Sequence, residues 1–315
     1  MLPPQPLPLT LNPRQDIPFI FKSYRQLVRS LGAVDGLGAG LTVATKEFEK
    51  QISSIQPTTQ QLPHALSIAT AHNVSTAYID MTSLSPHLSQ LLIVATYQQT
   101  EFFLTNFRKE QKTLGRQWRD RADGEILLDY ILSCLPQGLN RNIVRIWKER
   151  YQLIEYYRHV RNGFVHATIN RASLANEYNK VSSLIPYVQH HYGLTAPNAY
   201  GSLTFDDHML FTRLTKYIAT DLCRIGAPST GIEIVNMLFS DEYVSLISSL
   251  IQRKGDEPQL KKSLRGRLRA DFNYNLKIYP QIERDILDWF SKIPPKRERR
   301  EDGKISAIEA AKQLI

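Results

Sequence analysis

Apolar residues recur along most of this chain at three- and four-residue intervals, and no stretch alternates for long enough to build a sheet. The fold class expected from that spacing is all-α. One helical stretch is expected from about Arg14 to Leu31 and another from Thr42 to Ile55, on either side of the glycine-rich GAVDGLGAG segment. Gly36, Gly38 and Gly40 follow no apolar strand and precede no Gly-Lys-Ser/Thr, so a helix-to-helix connector is expected there and a phosphate loop is not. Residues 1–13 hold five prolines and read as an extended arm, while residues 56–85, rich in Thr, Gln, Ser and Pro, read mainly as linker with room for one short element.

Ser85-Pro86 opens the strongest helical pattern, which continues through Lys112 to a stop at Gly115, because proline suits a first helical position and glycine a terminus. Its LLIVATYQQTEFFLTNF run puts apolar groups on more than one face, as expected of a helix covered on two sides. Further helices are expected at 123–135, 140–162, 173–185 and 204–224, the last opened by Thr204 as N-cap and closed by Gly226 and Pro228, with 186–203 as a loop. Shorter pieces follow at 232–239, 241–252, 258–270, 276–290 and 305–314. The expected organisation is an N-terminal arm with accessory helices over 1–85, a helical core over 86–226, and a C-terminal helical region over 227–315.

Composition narrows the function classes. A chain of 315 residues can bury a real core, and its two cysteines, Cys134 and Cys223, are far apart with no Cys-x-x-Cys spacing. Neither a disulfide framework nor a thiolate metal site is indicated, and a reducing, cytoplasmic setting is expected. The eight histidines include no His-Glu-x-x-His, so no metal and no cofactor is expected. The longest strongly apolar run, Leu91 to Ala95, is far short of the roughly 20 residues that span a bilayer, so no membrane partner is expected. Lys and Arg number 39 against 30 Asp and Glu, a net charge of +9 that favours a polyanionic partner, and +5 of it falls in residues 86–226.

The segment with the clearest chemistry is Asn140 to His166. Up to Val160 it reads as one amphipathic helix with Ile143, Ile146, Trp147, Leu153, Ile154 and Tyr157 on one face. Arg150 and Arg161 fall inside that apolar stripe, where a guanidinium needs an acidic or phosphate partner; a buried ion pair and a phosphate site both meet the need. Glu101, on the apolar helix beginning near Pro86, is a candidate partner for either arginine. On an unbroken helix Arg161 and His166 point about 140° apart. They converge only if the backbone leaves the helix between them, and Gly163 is the residue suited to that, so a kink there is expected. An Arg and a His at this spacing arise by chance roughly 0.6 times in such a composition, and with Asn following the Arg roughly 0.02 times, so the full string Arg161-Asn162-Gly163-Phe164-Val165-His166 carries weight that the bare pair does not.

That string resembles the Arg-Asn-x-x-x-His signature of the HEPN superfamily of nucleotide- and RNA-acting helical domains. The likeness covers roughly residues 86–226 and includes the helices before and after the string. It implies a HEPN-like helical bundle and a metal-independent endoribonuclease in which the signatures of two domains face each other. With one signature per chain, it implies a homodimer acting on RNA, with Arg161, Asn162 and His166 catalytic. By analogy it also implies a toxin or antiviral defence effector held by an inhibitory or activating protein partner. The tyrosine that follows the histidine by two residues in nucleotidylated toxins of this kind is replaced here, since Ala167 and Thr168 come next. The alternative reading is a non-catalytic RNA-binding or scaffold HEPN subunit.

The residues suit the role chemically. Histidine serves as general acid and base near neutral pH, and arginine offers a fixed fork to phosphate oxygens. Arg150, Arg158, His159 and Glu101 are candidate supporting groups, Glu101 by setting the geometry of the arginines. Lys261, Lys262, Arg265, Arg267 and Arg269, five cations over nine residues without an acid, are candidate RNA contacts, as is the Lys296–Arg300 cluster; a solvated helix face is the competing reading. Tyr187, His190, His191, Tyr192 and Tyr200 bring rings to the expected loop after Pro186, where they suit stacking on unpaired bases or simply pack. Glu110-Gln-Lys112 ends like a restriction-type nuclease motif but has no strand or aspartate to complete it.

Overall fold

The computed structural model describes residues 17–80, 83–166, 171–240 and 243–293. The proline-rich arm, the Lys296–Arg300 cluster and the helix expected near 305–314 lie outside the described residues. Among those described the chain is all-α, with thirteen α-helices and no strand. They are α1 Lys22–Ser53, α2 Gln61–Ala71, α3 Leu84–Thr113, α4 Leu127–Cys134, α5 Gly138–Arg145, α6 Lys148–Val165, α7 Arg171–Ser182, α8 Ile185–Tyr192, α9 Phe205–Ile225, α10 Gly231–Leu238, α11 Val244–Gln252, α12 Glu257–Phe272 and α13 Pro280–Lys292. They gather into two compact units, each drawn from separated stretches, so that the segment 86–226 contributes to both.

One unit takes Met1–Gln26, Phe103–Arg145 and Ala219–Ile315. Its core is aromatic: Phe19 stands 5.0 Å from Phe272 and 5.4 Å from Tyr274, and Phe21 meets Phe107 edge-on at 5.3 Å. Glu110 caps the start of α1 by accepting from the backbone N–H groups of Lys22 and Ser23, which have no intrahelical acceptor. Cys223 on α9 is fully buried in this unit, and burial pushes its thiol well above the usual range.

The other unit takes Leu27–Phe102 and Ile146–Ile218 and holds the whole Arg161–His166 string. Leu27, Leu31, Ile93, Leu153, Tyr157, Val160, Phe211 and Leu214 form its core. Polar side chains buried here are joined to one another: Thr96 on α3 meets His208 at 3.2 Å, and Thr100 meets Thr215 at 3.2 Å. Asp207, fully buried at the start of α9, accepts from Tyr157, from the backbone and side chain of Asn198, and from the Thr204 backbone, which fixes the turn before the helix. Burial raises the Asp207 carboxyl above its ordinary value, against the pull of those donors.

Four expectations need correction. The glycine-rich segment after Leu31 is no connector, because α1 runs through it unbroken. Each glycine costs roughly 1 kcal/mol of helix propensity, yet packing overrides this. A Cβ at Gly38 would stand 3.0 Å from Leu92 and 3.4 Å from the His208 ring, so glycine lets α1 approach α3 and α9 closely. The single helix expected over 140–160 is two helices, interrupted at Trp147, whose φ is +70°. The loop expected after Pro186 contains α8, opened by that proline and ended by left-handed Gly193. The kink expected at Gly163 is absent, since α6 continues to Val165.

Candidate functional site

The signature occupies the last turn of α6. His166 is the first residue past the helix, at φ −112° and ψ 104°, and its N–H still donates to the Asn162 carbonyl at 2.9 Å. Gly163 has a different use from the one expected: a Cβ there would lie 2.7 Å from Leu174 Cδ1 on α7, so its bare backbone is what lets α7 pack against this turn. Arg161 and His166 are therefore not folded onto each other by a bend. The imidazole of His166 is exposed, with no hydrogen bond or ion pair to another described residue.

Arg161 is half-buried and held without an acid among the described residues. Its Nη1 donates to Asn162 Oδ1 at 3.0 Å, its guanidinium carbon lies 5.0 Å from the centre of the Tyr97 ring, and its buried Nε has no hydrogen-bond partner among the described residues. A cation over an aromatic face is attracted by the ring quadrupole yet keeps its full charge for an anion. Tyr97 stacks in turn on Phe211, and Phe211 on Tyr157, which seats the arrangement on the core. Burial, with Glu101 and Glu155 nearby, pushes the Tyr97 phenol up to about 12, although Arg158 and Arg161 oppose the rise.

Tyr97 is a site residue that the sequence pattern alone did not single out. It lies four residues before Glu101 on α3, the spacing at which two residues share a helix face, so the same wheel that nominated Glu101 could have found it. Glu101 forms no ion pair with either arginine among the described residues and acts on this corner through the field it exerts on Tyr97.

Arg150 lies 20° from Arg161 on the α6 wheel and is nearly buried. Its guanidinium sits 4.4 Å from the Tyr217 ring and 5.3 Å from the Trp147 ring, and its charge opposes the rise that burial gives the Tyr192 phenol. Aromatic rings flank the guanidinium where an acid or a phosphate was anticipated, and Arg150 braces α6 against α9. Arg158 donates to Glu155 at 2.9 Å and meets His159 Nε2 at 3.0 Å, while His159 stands 3.9 Å from Glu177, itself bound to Lys180 at 2.7 Å. Burial, and then the Arg158 charge, lowers the His159 pKa despite Glu177. This pair is tied to carboxylates of its own chain, whereas Arg161 rests on an amide and a ring.

The basic helix α12 divides in two. Arg265 makes a two-pronged pair with Glu283 at 2.5 and 2.7 Å, and Lys261 approaches the same buried carboxylate at 3.7 Å. Lys262, Arg267 and Arg269 face solvent. On α8, Tyr187 packs on His191 at 4.4 Å, and the adjacent histidines cross edge-on at 4.8 Å. Among the described residues no three His, Cys, Asp or Glu side chains converge as metal ligands.

Set beside protein-family models, curated proteins and solved structures, the chain finds no match in any of the three.

Proposed function

We propose that this chain is a metal-independent endoribonuclease of the HEPN type, whose working site is composed of two copies of the Arg161–Asn162–His166 segment. The observation that carries the reading is the state of Arg161: a half-buried guanidinium held by a ring and an amide, with no carboxylate on it among the described residues, five residues from an exposed imidazole. A charge so placed suits a phosphate, and the His166 ring is open to a substrate hydroxyl.

Cleavage by this route needs one group to take the proton of the ribose 2′-OH and another to give a proton to the departing 5′-oxygen. The 2′-oxygen attacks phosphorus, the bond from phosphorus to the 5′-oxygen breaks, and the products end in a 2′,3′-cyclic phosphate and a 5′-OH. One chain supplies one exposed imidazole here, and a two-fold pair supplies both, with two guanidiniums for the charge on the phosphorane. Asn162 fixes the Arg161 fork through its side-chain oxygen. Lys262, Arg267 and Arg269 are free for RNA backbone contacts, whereas Arg265 and Lys261 are engaged by Glu283. Such an activity needs restraint in a cell, and a toxin or defence role under an inhibitory or activating partner belongs to the same proposal.

The test is incubation of wild type and of Arg161→Ala/His166→Ala with mixed RNA in EDTA, reading fragment lengths and end chemistry. Cyclic-phosphate ends that vanish in the double variant are expected. Cleavage equal in both proteins, or requiring added divalent metal, overturns the reading.

A further inference from the structure

The inner face of α1 is buried at Leu27, Leu31, Gly38 and Ile52, and is pinned by polar contacts, Asp35 to Lys216 at 2.9 Å and Glu49 to Ser85 at 2.8 Å. Its outer face breaks the rule for a surface helix, which turns polar groups to water. Gly32, Ala33, Gly36, Leu37, Ala39, Gly40, Leu41, Val43 and Ala44 are all exposed, with Leu37 65% and Val43 69% accessible. Between Arg29 and Lys46 the one charged residue is Asp35, and it belongs to the inner network. Gly32, Gly36 and Gly40 follow at four-residue steps, and nothing lies within 4 Å of where their Cβ atoms would be. They form a shallow trough along which another helix backbone can come close.

The ends of this face say what fits it. Arg29 and Glu47 are both exposed and stand eighteen residues apart, five whole turns, so they share one line along the helix, within 20° of Gly36 and about 27 Å from each other. A second α1 laid antiparallel and centred at the height of Gly38 places Arg29 against the partner's Glu47 and Glu47 against the partner's Arg29. The same register sets Gly36 opposite Gly40 and Ala33 opposite Val43. A parallel pair would set Arg29 against Arg29 and Glu47 against Glu47. The Lys50 contact of Glu47, at 3.8 Å between side chains more than 70% exposed, is too weak to compete.

We infer that the outer face of α1 is a self-association surface that receives α1 of a second copy of this chain, antiparallel, with glycine trough in glycine trough and an Arg29–Glu47 pair at each end. This inference goes beyond the ribonuclease reading and does not rest on it. The strip is about 27 Å long and one helix wide, well below the roughly 800 Å² per partner of a standard interface, so the dimer is weak and concentration-dependent. α1 is also the one helix among the described residues long and apolar enough to cross a bilayer. Spanning would strip Asp35 from Lys216 and Glu49 from Ser85, and glycine gives lipid almost no area to bury. A second protein helix fits the trough better.

Sedimentation of the whole chain from about 1 to 500 μM tests this across the range expected of a small interface. Wild type is expected to pass from monomer to dimer; Arg29→Glu and Glu47→Arg each weaken the dimer about 10-fold, and the double reversal restores it. Gly36→Leu, whose Cβ would meet nothing within 4 Å in the single chain, is expected to abolish the association through α1 without lowering the melting temperature. Monomer throughout, a dimer that the double reversal fails to restore, or monomeric protein floating with phosphatidylcholine vesicles each overturns it. RNA cleavage is read separately on the same samples, so a protein that dimerises through α1 without cutting RNA overturns the ribonuclease reading and leaves this surface standing.

Discussion

The two units hold several of their arginines differently. In the unit built around Phe19 and Phe272, four of them meet carboxylates, Arg116 with Glu233 at 2.6 Å, Arg119 with Glu125, Arg224 with Asp221 at 3.1 Å and Arg265 with Glu283 at 2.5 Å, while Arg108 and Arg119 also face the Tyr130 ring. In the unit that carries the signature, Arg150 and Arg161 are met by the rings of Tyr217, Trp147 and Tyr97, and Arg158 on the same helix pairs with the acid Glu155. A carboxylate neutralises a guanidinium, whereas a ring face holds it without spending its charge. An arginine held by rings thus packs into the structure while keeping its charge.

The contrast can be broken hardest at the signature. His166→Ala is expected to lower RNA cleavage by about 10²- to 10⁴-fold with the melting temperature unchanged, because the ring is exposed and makes no hydrogen bond or ion pair with another described residue. Loss of stability in step with activity would make His166 a packing residue. Gly163→Val comes next, at a cost of about 1–3 kcal/mol in urea unfolding, since a side chain there drives into Leu174. An unchanged midpoint would mean that α7 does not pack on this turn.

Tyr97 sharpens the contrast directly. Tyr97→Phe keeps the ring under Arg161 and is expected to leave RNA affinity alone, while Tyr97→Leu removes it and weakens affinity about 5-fold, in line with roughly 1 kcal/mol for a partly exposed cation–π contact. Equal affinities in the two variants would count against the ring as the seat of the guanidinium.

The smallest effect lies in the other unit. Burial alone would raise Glu233, but hydrogen bonds from Arg116 and Ser229 outweigh it and hold the carboxyl below its ordinary value. A carboxyl depressed in the folded state stabilises above its unfolded pKa, and that contribution is lost as pH falls through the folded value. Wild type is therefore expected to lose stability below about pH 4.5 more steeply than Glu233→Gln, by less than about 1 kcal/mol. Parallel acid limbs for the two proteins would show that Glu233 carries none of the acid sensitivity.

Much of the helix pattern was legible because its punctuation is local. Pro86 falls in the first turn of α3, Thr204 and Asp207 bracket the start of α9, and Gly226 follows its end. The failures share a cause, which is that the deciding partner is remote. Nothing near Gly163 announces Leu174, and nothing near Gly38 announces Leu92, so a glycine used for close approach reads as one used for bending. Trp147 at φ +70° breaks a helix where a bulky residue gives no local hint of it. At the site the signature itself was legible as a string. Its setting was not, because the ring under Arg161 comes from another helix 64 positions earlier in the chain.

The buried thiol of α9 gives the molecule a built-in clock. Cys223 has no exposed surface, and its proton is held more tightly than in solution, so an alkylating reagent can reach a reactive thiolate only after the aromatic core around Phe107 and Phe21 comes apart. Its labelling rate in native buffer therefore times the opening of that core, and Cys134, partly exposed, is the faster internal reference in the same chain.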